Sequence, residues 1–483
     1  MTFGITAFGA YVPRLRLSRQ AIATAHRWMT GGPPRATGHR AFCSWDEDSV
    51  TMAVEAARDA LAGAAGRHAV VSSLTLASTT LPYADFSNAG QVAAALDLDP
   101  SIRADDRTGS QRAATTALID AFTQARDGTL IVAADRPRAQ PASPLEQICG
   151  AGAASVILGG GDVIARLVGA ASVNATFADH FRPADLPYDY VWEERWIRDE
   201  GFGKIVPQAV AAALASAGLT IGDIRYFVMP STIRGAAVSV ARTLGFKGEI
   251  ADALDADCGH TGTAHALLML GAVLEVAAAG DRILLVGFGQ GADALVLEAS
   301  GRTPAMAGAR GVAAVLADRL ATDDYLRMLS FYGEIRLDWG MRGEKNDKPA
   351  LTEAYRTSRQ LAAFKAGHCP ACGAVQFPQL AYCVTPGCGA SARDFGQVSL
   401  ADVPADLMTF TADWLSYHPS PPLHVGFVQF NNGARLMMEV VDVPVGALEV
   451  GMALRMVCRI KQTDTARGFR RYFWKATPVA LPG

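Results

Sequence analysis

The sequence has little charge of one sign to offer a partner. Its 44 lysines and arginines stand against 47 aspartates and glutamates, a net charge of -3 over 483 residues. That balance gives no electrostatic reason to expect a nucleic acid or an anionic membrane surface as partner. Long apolar runs are also missing. The best, 266–279, is too short for a bilayer span and contains Glu275. The opening MTFGITAFGAYVPRLRLSRQ has no uninterrupted apolar core behind a basic start, so it does not read as a secretion signal and a cytoplasmic location is expected. Cysteine is sparse. Four of the eight lie in 369–388, and Cys43, Cys149, Cys258 and Cys458 are scattered, which argues against a disulfide framework. Two further gaps bear on chemistry: no cysteine lies between 43 and 149, and no histidine between 180 and 260.

What is present is organised. The length exceeds one compact core and implies two or three domains. Over the first 300 residues, short β-branched runs (SSLTLAST, TLIVAAD, ASVILGG, RYFVMPS, RILLVGF, DALVLEA) alternate with Ala-rich helical stretches at 49–62, 115–125, 204–217 and 264–278. This alternation predicts a layered α/β fold. The region also repeats itself. DDRTGSQRAATTAL, GTLIVAADR and GAGAASVILGG are answered by DADCGHTGTAHALL, GDRILLVGFGQ and GADALVLEA. The expected unit is therefore duplicated, with Gly109-Ser110 matching Gly259-His260 and Ser78-Thr79-Thr80 matching Pro230-Ser231-Thr232. Sites in such sheets form at strand ends and helix N-termini, so these segments are expected to converge on one pocket. The Gly-rich hairpin GFGQGAD, with Gly289, is expected to border it. That hairpin does not open a helix in the dinucleotide-binding manner, which rules against a Rossmann reading.

The run CPACGAVQFPQLAYCVTPGC places Cys369 and Cys372 on one tight knuckle and Cys383 and Cys388 around a Pro-Gly turn. Four thiolates in two knuckles form a closed structural Zn2+ site of the zinc-ribbon kind, which holds a module together and does no chemistry. His368 reads as a neighbour of the site. A polar linker, MRGEKNDKP, and a helix over 351–365 are expected before the cluster. From about 395 the pattern becomes all-β (LMTFTADW, HVGFVQF, ARLMMEVVD, LRMVCRI, RRYFWKA), as in a small barrel. The barrel carries Arg459, Lys461, Arg467, Arg470, Arg471 and Lys475 beside aromatics. Basic faces of this kind often bind nucleic acid. The near-neutral chain favours CoA phosphates, or docking within the protein, instead.

The first 300 residues resemble hydroxymethylglutaryl-CoA synthase and ketoacyl synthase III of the thiolase superfamily. The resemblance is carried by ITAFGAYVPRLRLSRQAIA, WDEDSVTMAVEAARDAL, LASTTLPYADFSNAGQVAAAL, DHFRP, GHTGTAHALLML and AGDRILLVGFGQGADALVLE. The last 120 residues are similar to the zinc-ribbon plus OB-fold proteins that accompany thiolases. The resemblance implies a five-layered αβαβα fold followed by a zinc ribbon and an OB-type barrel, with the chain divided at 1–165, 166–303, 304–355, 356–394 and 395–483. It also implies a homodimer, a CoA thioester as substrate and possible pairing with a partner thiolase. Aligned on the family's nucleophile helix, Gln111 stands where the Cys belongs, with Ser110 before it. The family's general-base Glu falls at or near Thr79, and its first His is missing near 228–230. His260 occupies the position of Asn in ketoacyl synthase III and of His in thiolases.

Three chemistries stay open. Ser110 could be a nucleophile with His260 as base. Gln111 could bind an oxyanion, as in ketosynthase-like decarboxylases. Or enolate chemistry could run without a covalent step, with His260 as the acid–base group and backbone N–H groups on the enolate oxygen; this last is preferred. A non-catalytic acyl-CoA-binding scaffold is the alternative outside enzymes. Thr79, Ser231, Cys258 and Gly289 are the expected substrate-binding residues, although Cys258 also reads as a small buried hydrophobe. Cys149 reads as core, His265 as a packing residue, and Asp46-Glu47-Asp48 as a helix cap. Asp179-His180-Phe181-Arg182 is similar to a synthase loop over the substrate, with His180 itself read as exposed.

Overall fold

The computed structural model describes residues 2–30, 35–64, 71–301, 309–344 and 347–480. The chain forms two compact units. The first comprises Met1–Cys43, Asp48–Gly90 and Ser101–Met328, and the second Ser44–Glu47, Gln91–Pro100 and Leu329–Gly483.

The first unit is built on ten strands: β1 (Phe3–Tyr11), β2 (Ser73–Ala77), β3 (Arg103–Arg107), β4 (Thr129–Asp135), β5 (Gly152–Gly160), β6 (Ala165–Asn174), β7 (Tyr226–Val228), β8 (Glu249–Ile250), β9 (Arg282–Phe288) and β10 (Gly291–Ala299). Their order is β8-β7-β9-β10-β6-β1-β5-β4-β2-β3. The β1–β6 junction at the centre pairs only Ile5 with Ala165, so the strands divide into two halves of five. Each half has the same connectivity. β2 and β7 run parallel to both their neighbours, while β5 and β10 run antiparallel to both of theirs. The repeat read from the sequence is this duplication.

Helices complete the layers. α1 (Ser49–Gly63) starts at a capping box, in which Thr51 N–H bonds Asp48 Oδ1 at 3.0 Å and Asp48 N–H bonds Thr51 Oγ1 at 2.8 Å. Its Ala56 and Ala60 let β1 lie almost in contact; a Cβ at Gly9 would sit 2.3 Å from the Ala60 nitrogen. Between the two half-sheets lie α2 (Ala113–Gln124) and α4 (His265–Leu274), while α3 (Val206–Ala217) covers the second half. Nearly every residue of α4 is buried, as expected of a helix apolar on all sides. The result is the five-layered αβαβα arrangement. Ahead of α3 the expected helix from 204 is instead a π-helical stretch, Ile197–Ile205, with Val206 opening the α-helix.

In the second unit, Lys365–His368 pairs with Val375–Gln376 and with Gly396–Ser399. Five further strands follow, ordered Arg435–Glu439, Leu423–Phe430, Ala405–Asp413, Ala453–Asp464 and Phe469–Pro478. Val440 meets Ala476 across the two edges, which closes the sheet into a barrel. The single helix expected over 351–365 is two short pieces, Leu351–Arg356 and Ser358–Ala362. Phe364 turns to φ 51 so that Lys365 can enter its sheet, which a continuing helix would prevent. Of the MRGEKNDKP linker, Lys345 and Asn346 lie outside the described residues.

Much of the barrel's basic character is used internally. Lys475 Nζ sits 2.9 Å from both Asp46 and Glu439, and Arg459 reaches Asp442 at 2.7 Å and Glu47 at 3.2 Å. Of the acidic triplet 46–48, then, only Asp48 caps α1.

Candidate active site

The site is assembled where β4 and β9 end and the Gly-rich turn 259–263 enters α4. Asp135, the last residue of β4, is fully buried and gathers donors from two sides. Ser78 Oγ (2.8 Å), Thr79 N (2.9 Å) and Oγ1 (3.0 Å), and Thr80 N (3.1 Å) and Oγ1 (2.8 Å) come from the loop after β2. Thr263 N–H comes from the turn before α4, at 2.7 Å. The turn passes so close that a Cβ at Gly262 would lie 2.5 Å from Asp135 Oδ2, and Gly262 takes φ +58, a conformation glycine adopts without strain.

This turn fixes His260. Its backbone pairs with the segment around Cys149: His260 N–H donates to Ile148 O (2.8 Å) and Gly150 N–H donates to His260 O (2.9 Å). Gly150 is needed there, because a Cβ would lie 1.8 Å from Cys258 O. The Gly262 N–H donates to His260 Nδ1 at 3.2 Å. Nδ1 therefore accepts, and the ring proton of neutral His260 resides on Nε2. Burial, with the nearby His265 and His180, holds the His260 pKa well below its ordinary value, so the ring is neutral. His265 stacks on it at 4.6 Å and is fully engaged, accepting from Thr261 N–H on Nδ1 (3.1 Å) and facing Ala253 O from Nε2 (2.8 Å). It packs the site from behind.

His260 lines a small cavity of about 40 Å³ together with Gln111, Cys149, His180, Ser231 and Phe288. A larger one, about 520 Å³, is lined by Thr79, Gly109, Ser110, Arg182 and Gln290. His180 and Asp189 belong to both cavities. His180 Nδ1 lies 2.6 Å from Asp179 Oδ2. Gln290 Nε2 in turn holds Asp179 Oδ1 at 2.6 Å and His180 O at 3.1 Å. Burial disfavours the imidazolium, but the hydrogen bond and charge of Asp179, aided by Asp189, outweigh burial and the opposing Arg182, so the His180 pKa rises.

The residues expected from sequence are only partly brought together. Gln111, Ser231 and His260 share the small cavity; Ser110 and Thr79 line the larger one. Ser110 Oγ donates to Gly289 O at 2.9 Å, and Arg112 Nε bonds the same carbonyl at 3.0 Å while its Nη1 pairs with buried Asp293 at 2.7 Å. Gly289 thus anchors the nucleophile-position loop through its carbonyl. Cys258 lies outside both cavities, and its thiol, pushed up to about 12 by burial, contacts Leu254 O and Gly259 O. Cys149, read as core, does line the small cavity, though burial also pushes its thiol up to about 12. Asp135, which ends an otherwise apolar strand, was not expected at the site; the segments carrying His180 and Gln290 were expected near it, but not the contact between them. The polar break at the end of TLIVAAD was the one available signal.

In the second unit the Sγ atoms of Cys369, Cys372, Cys383 and Cys388 lie within 4.8 Å of one another, a cluster able to hold a metal ion.

Comparison with known proteins agrees with this fold. Residues 214–298 match the family described as 3-oxoacyl-[acyl-carrier-protein] synthase III, C terminal. A hydroxymethylglutaryl-CoA synthase of Aeropyrum pernix is 32% identical over 301 residues, covering 60% of this chain and 82% of the relative. That of Caldivirga maquilingensis is 29% identical over 343 residues, covering 67% and 95%. Among solved structures, an HMG-CoA synthase complexed with CoA aligns with TM-score 0.56 at 17% identity, covering 72% of this chain and 95% of that one. The 3-oxoacyl-(acyl carrier protein) synthase III of Pseudomonas aeruginosa aligns with TM-score 0.54 at 21% identity, covering 62% and 99%. At those identities the structural likenesses speak to fold alone.

Proposed function

Because the chain belongs to the hydroxymethylglutaryl-CoA synthase family of the thiolase superfamily, we propose that it makes or breaks carbon–carbon bonds on CoA thioesters through an enolate, without an acyl-enzyme. The observation that carries this reading is the fixed tautomer of His260. A neutral imidazole with Nδ1 occupied has Nε2–H as its donor, in a cavity that Gln111 also lines. Two neutral donors at one site suit a thioester oxygen that becomes negative as the enolate forms. This gives His260 the part of oxyanion donor rather than proton carrier.

A covalent route finds less support. Ser110 spends its hydroxyl on Gly289 O and has no hydrogen bond to a histidine among the described residues. Serine needs such a base. Cys149 is held as a thiol, which is a poor nucleophile. Decarboxylation of a malonyl-type thioester remains the second reading, because its enolate would use the same Gln111 and His260 donors.

The test is to incubate the protein with acetyl-CoA, acetoacetyl-CoA, malonyl-CoA and a wider acyl-CoA panel and follow products by mass spectrometry. His260→Ala should lower kcat/KM by roughly 10²-fold or more, the usual cost of one oxyanion donor. An acyl adduct on Ser110 or Cys149 would sink the non-covalent route. Loss of CO2 from malonyl-CoA alone would favour the decarboxylase. Thioester binding without any turnover would leave a scaffold, with a partner thiolase performing the chemistry.

For the second unit the reading is a structural zinc site. Zinc–sulfur bonds of about 2.3 Å in a tetrahedron separate the sulfurs by roughly 3.8 Å. The Cys369–Cys388 and Cys372–Cys383 sulfurs are 3.7 and 3.5 Å apart. With all four ligands supplied by the protein, the metal's part would be to hold the fold.

A further inference from the structure

His180 stands at the junction of the two cavities, on a short strand, His180–Phe181, paired with Tyr190–Val191. Its surroundings hold it in one orientation. Asp179 takes Nδ1–H at 2.6 Å, and Asp179 is itself gripped by Gln290 on its other oxygen and by Trp192 N–H on its backbone carbonyl (3.0 Å). Gln290 serves from the tight hairpin between β9 and β10 at φ +50, an uncommon conformation for a non-glycine residue that persists only where surroundings enforce it. On the far side, Arg182 ties Asp189 to the Thr79 carbonyl, and Arg138 N–H holds Asp189 at 3.1 Å. The outcome is a carboxylate–imidazole pair whose Nε2 has no hydrogen-bond partner among the described residues.

We propose that His180, oriented by Asp179 and Gln290, is the acid–base residue of this site, and that it shuttles one proton between the α-carbon of a CoA thioester and the oxygen of a second, ketone or aldehyde, carbonyl. This rests on the enolate reading above and supplies the base that reading lacks, since His260 is committed to donating. His180 Nε2 takes a proton from the α-carbon. The C–H electron pair becomes the enolate double bond, and the thioester oxygen takes the charge against His260 and Gln111. The enolate carbon then bonds to the carbonyl carbon of the acceptor, whose π pair moves onto its oxygen as an alkoxide. The His180 imidazolium returns its proton to that alkoxide. Nothing is oxidised or reduced, and cleavage is the same sequence reversed.

The charged and titratable groups facing His180 are Asp179, Asp189, Arg182 and neutral His260. The acidic pair prevails, so the reactive neutral imidazole grows in as pH rises through a pKa above the usual histidine value.

The test is hydrogen–deuterium exchange at the α-carbon of acetyl-CoA and propionyl-CoA in D2O, followed by NMR, with thioester binding measured in parallel by calorimetry. This isolates the first proton transfer from any need for the true acceptor. The wild type should exchange, with a rate that climbs to a plateau as pH rises. His180→Asn should slow exchange by roughly 10²-fold or more, the usual contribution of a general base, and leave binding in place. Asp179→Asn should move the pH midpoint downward, a shift that a merely structural role would not produce. His180→Gln, checked by its melting curve, guards against misfolding of the first variant. Exchange in a folded His180→Asn or His180→Gln variant at the wild-type rate would overturn the proposal and leave the enolate reading standing. Binding without exchange in the wild type would overturn both.

Discussion

Removing the metal from Cys369, Cys372, Cys383 and Cys388 should unfold the segment around them while the first unit keeps its structure. The three strands there, Lys365–His368, Val375–Gln376 and Gly396–Ser399, have four, two and four residues. They bury little apolar side chain among themselves, chiefly Ala366 and the Cys369 thiol, and Cys372 is exposed. So small a core cannot offset the entropy of ordering the loops between the knuckles. Bound zinc can, because structural zinc binding of this kind is worth about 10–16 kcal/mol in small domains and appears as folding free energy. Purified protein should contain one zinc per chain by elemental mass spectrometry. A strong chelator, or Cys369→Ser, should open the segment near 369–388 to protease and abolish the first melting transition. If the chelated protein melted and resisted protease as the untreated one does, the closed-site reading would fail. Acyl-CoA turnover measured on the same chelated sample reports whether the module also supports the chemistry.

The four-cysteine cluster could be read from sequence because its thiols come from one short stretch and their spacing is itself the geometry. The duplicated fold was legible for a related reason. Strand and helix patterns are local, and the same local pattern occurs twice. Gln111 was placed by the family resemblance and His260 by the resemblance and the repeat; in the structure both line one cavity. The rest of the site is non-local. Gln290 meets Asp179 across 111 residues, and Thr263 meets Asp135 across 128. No periodicity or spacing brings such pairs together before the sheets are assembled. For that reason the His180 side chain read as exposed, although its partners make it half-buried and oriented. The barrel's basic residues left both CoA phosphates and docking within the protein open, and the pattern along the strand could not choose between them. Lys475 and Arg459 are both buried in ion pairs, and the Lys475–Asp46 pair spans 429 residues. Charge counted along a strand does not reveal which face the strand buries.

Asp135→Ala should be among the most damaging single substitutions in the first unit. The carboxylate accepts from three hydroxyls, Ser78, Thr79 and Thr80, and from the backbone N–H groups of Thr79, Thr80 and Thr263. All of this lies at the fully buried end of β4. Truncation to alanine leaves those donors facing a void, and losing a charged acceptor from a buried network costs about 3–5 kcal/mol. Asp135→Asn keeps the volume but points an NH2 group at a ring of donors, so it should recover only part of the loss. Thr80→Val removes one donor to Asp135 together with the acceptor of Arg136 N–H (2.9 Å) and the contact to Ser49 Oγ (2.9 Å), so it should cost about 1–3 kcal/mol, less than Asp135→Ala. Urea denaturation of the three variants orders them, and an Asp135→Ala midpoint equal to that of Thr80→Val would refute the hub. The same carboxylate ties the loop carrying Thr79 to the turn carrying His260 and Thr263. A variant that still folds at low temperature should therefore lose turnover as well, because the Nε2–H of His260 is no longer held where the thioester oxygen must gain its charge. A loss in kcat larger than in thioester affinity would locate the damage at that oxygen rather than at CoA binding.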